Sequence, residues 1–214
     1  MLKKLIGNKA FYKRVVVLTI PIMIQQGITN FVNMLDNVMV GSVGQAESTG
    51  VAVSNQLLFV FNLCIFGAIS GAGIFTAQYF GKGDIEGVKQ TFRFKVIFGI
   101  LLCAIGFTLF GFLSEDLITL YLNDENNLEL AAQSLKFAKS YLYIMIIGLV
   151  PFTLSQCYGS TLRESGQSTV PMIAGVLAVA VNLSINYVLI FGKLGAPRLG
   201  VSGAAIATVI SRFV

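Results

Sequence analysis

Long apolar stretches alternate with short polar or glycine-rich breaks along the whole chain. A window of about 20 residues, the length of helix that crosses a bilayer, detects six such stretches. Their approximate spans are 15–41, 50–78, 94–113, 137–158, 170–191 and 201–214. The pattern predicts an all-α polytopic membrane protein built as a six-helix transmembrane bundle over residues 1–214.

The sixth stretch, GVSGAAIATVISRFV, is shorter than the others. It has about 14 residues, which at about 1.5 Å per residue cover about 21 Å, whereas a bilayer core measures about 30 Å. We therefore expect the sixth helix to be truncated at Val214, and the chain to be part of a longer protein.

The composition agrees with a membrane protein and argues against most enzymes. Hydrophobic residues make up 55% of the chain and charged residues 12%, whereas about 25% of the residues in a soluble domain are charged. The chain has no histidine, so the usual zinc ligand and the usual general base are both missing. Cys64, Cys103 and Cys157 are widely spaced in apolar stretches, which indicates neither a disulfide framework nor a metal cluster. No enzyme and no organic cofactor is predicted.

Basic residues are distributed unevenly between alternate breaks, which predicts the orientation of the chain. Ten lie in the N-terminal tail and the second and fourth breaks, against four in the third and fifth breaks. By the positive-inside rule the N-terminus is cytoplasmic, and the net charge of +5 needs no nucleic-acid partner. The first group is Lys3, Lys4, Lys9, Lys13, Arg14, Lys82, Lys89, Arg93, Lys95 and Arg163, and the second is Lys136, Lys139, Lys193 and Arg198.

Asp36 is an acidic residue in the first apolar stretch, within FVNMLDNVMVG. An ionised carboxylate in hydrocarbon costs about 2.5 to 3.5 kcal/mol on insertion scales, so such a residue usually faces cations or a water-filled cavity. Asp36 also lies about 33 Å along the helix from Arg14, which is compatible with a solvated position near the membrane surface or a capping role. Both interpretations remain open from this residue alone.

Asn182 and Asn186 have the i, i+4 spacing that places two side chains on one face of a helix. Their carbonyl oxygens suit a hard cation such as Na⁺. The alternative is that they hydrogen-bond between packed helices, at about 0.6 to 2 kcal/mol each.

Several motifs occur in an order and spacing that identify a family. Pro21 precedes Asp36 by fifteen residues, and the motifs are DNVMVG at 36–41, AQYFGKGD at 77–84, LRESGQSTVPM at 162–172 and NYVLIFGKLGAPRLGVSGAAIAT at 186–208. From about Pro21 to Arg212 the chain resembles the multidrug and toxic compound extrusion (MATE) family of secondary transporters. The resemblance implies a twelve-helix antiporter of two six-helix lobes, in which this chain is the N-terminal lobe and the C-terminal lobe is missing.

What the resemblance implies about function is export of organic, often cationic, small molecules across the cell membrane, driven by Na⁺ or H⁺. It places the coupling-ion or proton site at Asp36, Asn182, Asn186 and Thr208, with Na⁺ expected at the first three. Some family members carry an acid at the position of Asn186, whereas this chain has a single carboxylate in the set. The choice between Na⁺ and H⁺ therefore stays open.

Pro21 is expected to kink the first helix, because an internal proline removes one backbone hydrogen bond and clashes with the preceding turn. The resemblance makes it a conformational hinge, and the alternative is a static kink. In AQYFGKGD, Gly81 and Gly83 predict a helix stop, and Asp84 predicts a cap for the next helix.

Other apolar and polar positions give weaker expectations. Gly67, Gly71 and Gly73 predict close helix packing. Adjacent Gln25 and Gln26 cannot face the same way on a helix. The aromatic and methionine candidates for an apolar substrate pocket, which are equally typical of core or lipid-facing positions, are Phe59, Phe61, Phe66, Phe75, Met145 and Tyr158.

Two other functions remain as alternatives. The broad superfamily also contains flippases of lipid-linked sugars, which need a cationic central cavity. Basic residues here lie mainly at helix ends while the interior offers Asp36, which disfavours a flippase. The other alternative is a non-transporting, truncated membrane protein. Under each of these functions the protein would cross the membrane several times and contact membrane lipid.

Overall fold

The computed structural model describes residues 8–122 and 128–214 as helices joined by short turns, with no strand in these ranges. The helices are α1 Lys9–Gly41, α2 Gln45–Lys82, α3 Ile85–Phe112, α4 Ser114–Leu122, α5 Leu128–Ile147, α6 Leu149–Glu164, α7 Thr169–Phe191 and α8 Val201–Ser211. Four of them, α1, α2, α3 and α7, are long and apolar enough to cross a membrane, and α5 with α6 forms a bent fifth candidate. The prediction of an all-α, multi-pass membrane protein is confirmed.

The turn between α2 and α3 is formed by two residues and explains why both helices are longer than expected. Gly83 adopts a left-handed conformation with φ 75°, and its amide donates to the carbonyl of Phe80 at 3.0 Å. The Asp84 carboxylate accepts a hydrogen bond from the Gly87 amide at 2.9 Å. The predicted stop at Gly83 and cap at Asp84 are therefore confirmed, and the polar residues around them belong to the helix ends.

The fourth predicted span, 137–158, is wrong as a single helix. It is divided into α5 and α6, which meet at Gly148 with a bend of 50°. Pro151 supplies the reason, because it has no amide hydrogen for the carbonyl of Ile147 and its ring clashes with that carbonyl. The short helix α4 was also not expected, and it packs through Ile118, which is fully buried.

The helix α2 lies at the centre of the bundle and packs against α3, α5 and α6. It approaches the backbone of α5 closely at Gly50, where an added Cβ would lie 2.7 Å from the backbone oxygen of Ser134. The expectation of close packing at Gly67 and Gly71 is wrong, because no atom lies within 4 Å of a Cβ added there. At Gly73 close packing is found, against the side chain of Glu164.

The helix α1 lies at the edge of the bundle. It packs mainly against α7, and only 6% of its most apolar 18-residue window is buried. It continues through Pro21 from Lys9 to Gly41. This peripheral position leaves α1 attached to the bundle along one narrow stripe.

Most of the described basic residues used to predict the orientation lie within helices and not in the breaks between them. Lys3 and Lys4 lie outside the described residues. Lys95 is not in a break: it lies within α3 and is 1% exposed. Lys82, Lys89 and Arg93 lie close to the α2–α3 turn, so the cytoplasmic location of the N-terminus stays a prediction that rests on fewer loop charges.

Candidate functional site

A cavity of about 670 Å³ opens between α1 and the rest of the bundle. Its wall includes all four residues of the predicted ion site, Asp36, Asn182, Asn186 and Thr208. They come from α1, α7 and α8, so the fold brings together side chains from distant parts of the chain.

A continuous line of hydrogen bonds joins these four side chains. Asn186 Nδ2 donates to Asp36 Oδ1 at 2.8 Å and to Asn182 Oδ1 at 3.1 Å. Asn182 Nδ2 donates to Thr208 Oγ1 at 3.3 Å, and Thr208 Oγ1 donates to the Ala204 carbonyl at 3.0 Å. Asp36 is thus linked to α8 through the two asparagines of α7.

Helical periodicity explains why Asp36 points into the cavity. Val32 and Val40, one turn before and one turn after it, are 6% and 4% exposed, so Asp36 lies on the buried stripe of α1. Gln25 lines the same cavity, whereas its neighbour Gln26 is exposed, as their adjacent positions predicted. Asp36 therefore points to the inside of the bundle with its carboxylate bonded to Asn186, and the C-terminal cap of α1 is Ser42 instead.

The asparagines are buried more deeply than the acid. Asn182 is 7% exposed and Asn186 1%, while Asp36 is half-buried. Their contacts are also those expected of asparagines that link packed helices. The role of the four residues in ion binding accordingly stays a prediction.

The oxygen atoms present fit a hard monovalent cation. The set contains one carboxylate, two amide carbonyls and one hydroxyl, the ligand types that such ions prefer. Among the described residues, the side-chain oxygen of Asn186 is buried with no hydrogen-bond donor. A buried acceptor without a partner is unfavourable, and a cation is one group that would satisfy it.

Basic side chains on the cavity wall were not expected from the sequence. Arg163 and Arg212 both line it, so the expectation that the interior offers an acid rather than basic residues is incomplete. Arg212 Nη1 donates to the Gly148 carbonyl at 3.1 Å, and its guanidinium lies 5.0 Å from the Phe152 ring centroid. The signal available in the sequence was spacing, since Arg212 follows Thr208 by one helical turn.

Tyr141 of α5 is a further cavity residue that sequence reasoning missed. Its ring is buried, at 5% exposure, and its hydroxyl donates to Asn55 Oδ1 at 3.3 Å. Both residues line the cavity. This bond ties α5 to α2 at the cavity wall.

The candidates for substrate contact divide into two groups. Phe59, Met145 and Tyr158 line the cavity. The other three do not: Phe61 packs against Phe110 in the core, with ring centroids 6.3 Å apart, and Phe66 and Phe75 are 68% and 56% exposed on the bundle surface. Pro21 does not line the cavity either, so a hinge role would act through α1.

Comparison with known proteins gives one family. The family model described as MatE matches residues 21–188. A probable multidrug resistance protein NorM from Thermotoga maritima is 30% identical over 202 residues, covering 94% of this chain and 42% of that protein. A probable multidrug resistance protein NorM from Bacillus subtilis is 28% identical, covering 93% of this chain and 42% of its own length. The chain spans about half the length of the curated relatives it matches.

Solved structures show the same fold. A multidrug resistance MATE family transporter of the MOP superfamily, in an outward-facing conformation, superposes with a TM-score of 0.80 at 22% identity. A MOP superfamily transporter from Pyrococcus furiosus, described as having a binding pocket of reverse polarity, gives 0.78 at 22% identity. Each alignment covers 94% of this chain and 42% of the solved chain.

Proposed function

The chain belongs to the MatE family, and on this premise we propose that it is the N-terminal lobe of an antiporter that exports organic, often cationic, compounds. The driving force is an inward gradient of Na⁺ or H⁺, and the second lobe completes the transport pathway. The relatives named above are multidrug resistance proteins and transporters, which supports a transporter in place of an enzyme.

The hydrogen bond from Asn186 to Asp36 is the observation that carries this proposal. It connects the peripheral helix α1 to the interior of the bundle through an acidic residue at 2.8 Å. A change of charge at Asp36 therefore acts directly on how α1 is held against α7. Most other described side chains of α1 are exposed.

Coupling requires that the ion bind one conformation more tightly than the other, since equal affinity for both shifts nothing. In the structure, Asn182, Asn186 and Thr208 of α7 and α8 are hydrogen-bonded to one another, whereas Asp36 comes from α1 at the edge of the bundle. Displacement of α1 separates the carboxylate from the other oxygens and weakens ion binding. Ion binding in turn favours the arrangement in which α1 is close to α7.

The cavity provides a site for an amphipathic substrate. Phe59, Met145 and Tyr158 form apolar parts of its wall, and aromatic faces attract organic cations. Its volume of about 670 Å³ lies within the range of about 300 to 1,000 Å³ that holds drug-sized molecules. The C-terminal lobe would supply the opposite wall.

A second candidate function is supported by the arginines. Arg163 and Arg212 on the cavity wall would attract a phosphate or carboxylate group, as a flippase of lipid-linked sugars requires. Asp36 in the same cavity opposes such a ligand, so export of a cation is the better-supported function.

We also propose that the protein lies in the plasma membrane with its N-terminus in the cytoplasm. The starts of α1, α3 and α7 and the ends of α2 and α6 lie at one end of the bundle and carry most of the basic side chains. The positive-inside rule assigns that end to the cytoplasm.

The experiment that tests the function uses the full-length transporter in membrane vesicles loaded with a fluorescent organic cation. Efflux is measured under an imposed Na⁺ gradient at constant pH, and then under an imposed pH gradient without Na⁺. Acceleration by either gradient supports the antiporter and identifies its ion. Efflux indifferent to both gradients would refute it. Transfer of a labelled lipid-linked sugar, in place of the cation, would support the flippase.

A further inference from the structure

The side-chain amide of Asn186 makes an unusual set of contacts. Its nitrogen donates both of its hydrogens to oxygen atoms, Asp36 Oδ1 at 2.8 Å and Asn182 Oδ1 at 3.1 Å. Its oxygen is buried without a donor among the described residues. Both N–H groups of the amide thus have an acceptor, whereas its oxygen has no donor.

The other side chains in this line of hydrogen bonds cannot turn over as freely as the Asn186 amide. Asn182 is fixed at both ends, because its oxygen accepts from Asn186 and its nitrogen donates to Thr208 at 3.3 Å. The Thr208 hydroxyl is in turn committed to the Ala204 carbonyl at 3.0 Å. Asn186 is the one amide in the line that has no bond to lose on its oxygen side.

The amide nitrogen occupies the position that a cation needs. It lies between a carboxylate oxygen and a carbonyl oxygen, and its polarised hydrogens face both. A cation binding between Asp36 Oδ1 and Asn182 Oδ1 would be repelled by this NH₂ group. Half a turn about the Cβ–Cγ bond of Asn186 exchanges its nitrogen and oxygen, which are nearly equal in size and differ in being donor and acceptor.

We propose that the Asn186 amide serves as a built-in substitute for the coupling cation and turns over when Na⁺ binds, exchanging its NH₂ group for its carbonyl oxygen. This inference rests on the proposed function, in that it assumes the cation site at Asp36, and it assigns Na⁺ to that site. Without Na⁺ the amide holds α1 to α7 by a direct hydrogen bond. With Na⁺ the carbonyl becomes a ligand, so the oxygen that now lacks a partner gains one. The NH₂ group gives up its bonds to Asp36 and Asn182, whose oxygens bind the ion instead.

The proposal explains why an amide suits this position. A leucine would fill the space but would offer neither a hydrogen-bond donor to Asp36 nor an oxygen ligand to the cation. An aspartate would offer a ligand oxygen at all times but no donor for Asp36 in the ion-free state. An amide supplies a donor in one orientation and a ligand oxygen in the other, which makes the carbonyl orientation of Asn186 a reporter of Na⁺ binding.

The test uses the full-length transporter purified in detergent at constant pH, with choline chloride replaced by NaCl. Difference infrared spectra record the carbonyl stretch of asparagine side chains, identified by its shift on ¹³C-asparagine labelling. Thermal unfolding in the same two salts measures Na⁺ binding independently, because a ligand that binds the folded state raises its stability. We expect Na⁺ to shift the asparagine band and to stabilise the wild-type protein.

Three variants make the result specific. Asn186→Leu should lose the band shift and weaken Na⁺ affinity by about 10-fold or more, the effect of losing a group that supports a metal site. Asn186→Asp should keep Na⁺ stabilisation and lose the part of the band shift that comes from position 186, while the part from Asn182 remains. This variant tests the inference even if the leucine variant does not fold. Asn30→Leu, the matched change at an exposed asparagine of α1, should keep both.

Two outcomes would overturn the inference. One is Na⁺ stabilisation with the same asparagine band shift in the wild-type protein and in Asn186→Asp, which would mean that the Asn186 amide stays as it is. The other is no stabilisation by Na⁺, and efflux driven by a pH gradient would then leave the antiporter function standing. If the band shifts and Na⁺ stabilises but neither gradient drives efflux, the inference holds and the proposed function fails.

Discussion

Lys95 of α3 and Glu164 of α6 form an ion pair inside the bundle, with Nζ 2.5 Å from Oε2. The Lys95 side chain is fully buried, while the Glu164 side chain is 18% exposed. Ser160 Oγ and Thr161 Oγ1 each accept a further hydrogen bond from the Lys95 ammonium at 3.2 Å. The three donors of the ammonium group therefore have three acceptors, and the pair fastens α3 to α6 in the half of the bundle opposite Asp36.

Removal of one partner of this pair should destabilise the protein strongly. Glu164→Gln leaves the Lys95 charge buried without a counter-charge, which typically costs about 3 to 5 kcal/mol. The double variant Lys95→Met/Glu164→Met removes both charges and should be close to the wild type in stability. Thermal unfolding of the purified protein in detergent measures the difference. A double variant as unstable as Glu164→Gln would show that the pair is not the cause.

A side chain at Gly73 in α2 should disturb the ion pair, because a Cβ there would overlap the end of the Glu164 side chain, which would have to move. Gly73→Ala is expected to displace Glu164 from Lys95 and to lower the melting temperature. The control is Gly71→Ala on the same helix, where no atom lies within 4 Å of an added Cβ. That variant should be neutral or stabilised by up to about 1 kcal/mol, the helix preference for alanine over glycine. Equal effects at the two positions would contradict the prediction.

Neutralisation of Asp36 should abolish efflux. Asp36→Asn keeps the size of the side chain and removes the negative charge on which the proposed cation site depends, so transport by the full-length protein in vesicles should fall to background while expression is unchanged. Asp84→Asn is the matched control, because Asp84 caps α3 and asparagine caps a helix about as well as aspartate. Wild-type efflux in the Asp36→Asn variant would remove the acid from the mechanism.

Stability should fall at low pH partly through Glu115 in α4. The Lys139 ammonium donates a hydrogen bond to its carboxylate at 2.7 Å, and this bond and the Lys139 charge lower the pKa of Glu115. Because the folded-state pKa is the lower one, the stabilisation is present above the unfolded-state pKa of about 4.3 and is lost as the pH falls through the folded-state value. The effect should be small, since the pair is exposed.

The measurement for Glu115 is the melting temperature between about pH 6 and pH 3, around the ordinary glutamate pKa. Wild-type protein should lose more stability over this interval than Glu115→Gln, which has no carboxylate to protonate. The neighbouring Asp116, which forms no ion pair among the described residues, provides the control Asp116→Asn. That variant should follow the wild-type curve. Identical curves for Glu115→Gln and the wild type would refute the assignment.

Local sequence features account for most of the helix pattern. The apolar stretches, the stop at Gly83 and the cap at Asp84 all follow from interactions within a few residues. Hydropathy over 137–158 is continuous and therefore predicts a single helix there, although Pro151 gives a local cause for the bend at Gly148. The ends of α2 and α3 were missed because polar residues at helix ends resemble loop residues in composition.

The candidate site was also predictable in part from the sequence, and the rest depends on how the helices pack. The spacing of Asn182 and Asn186 determined that they share a face, and the family resemblance brought Asp36 and Thr208 into one hypothesis. The bond between Asp36 and Asn186 joins residues 150 positions apart, and its geometry follows only from α1 packing on α7. Arg212 on the cavity wall depends in the same way on the position of α8.

The sequence by itself determined which segments are helical, where several of them end, and which side chains share a helical face, because these properties arise from neighbours along the chain. The tertiary structure alone decided that Lys95 meets Glu164, that Gly50 and Gly73 rather than Gly67 mark close approaches, and that the Asn186 oxygen lacks a donor. The physical reason is that each of these depends on which helices are adjacent and at what rotation about their axes. A helix's own residues do not determine the rotation at which its neighbour packs against it.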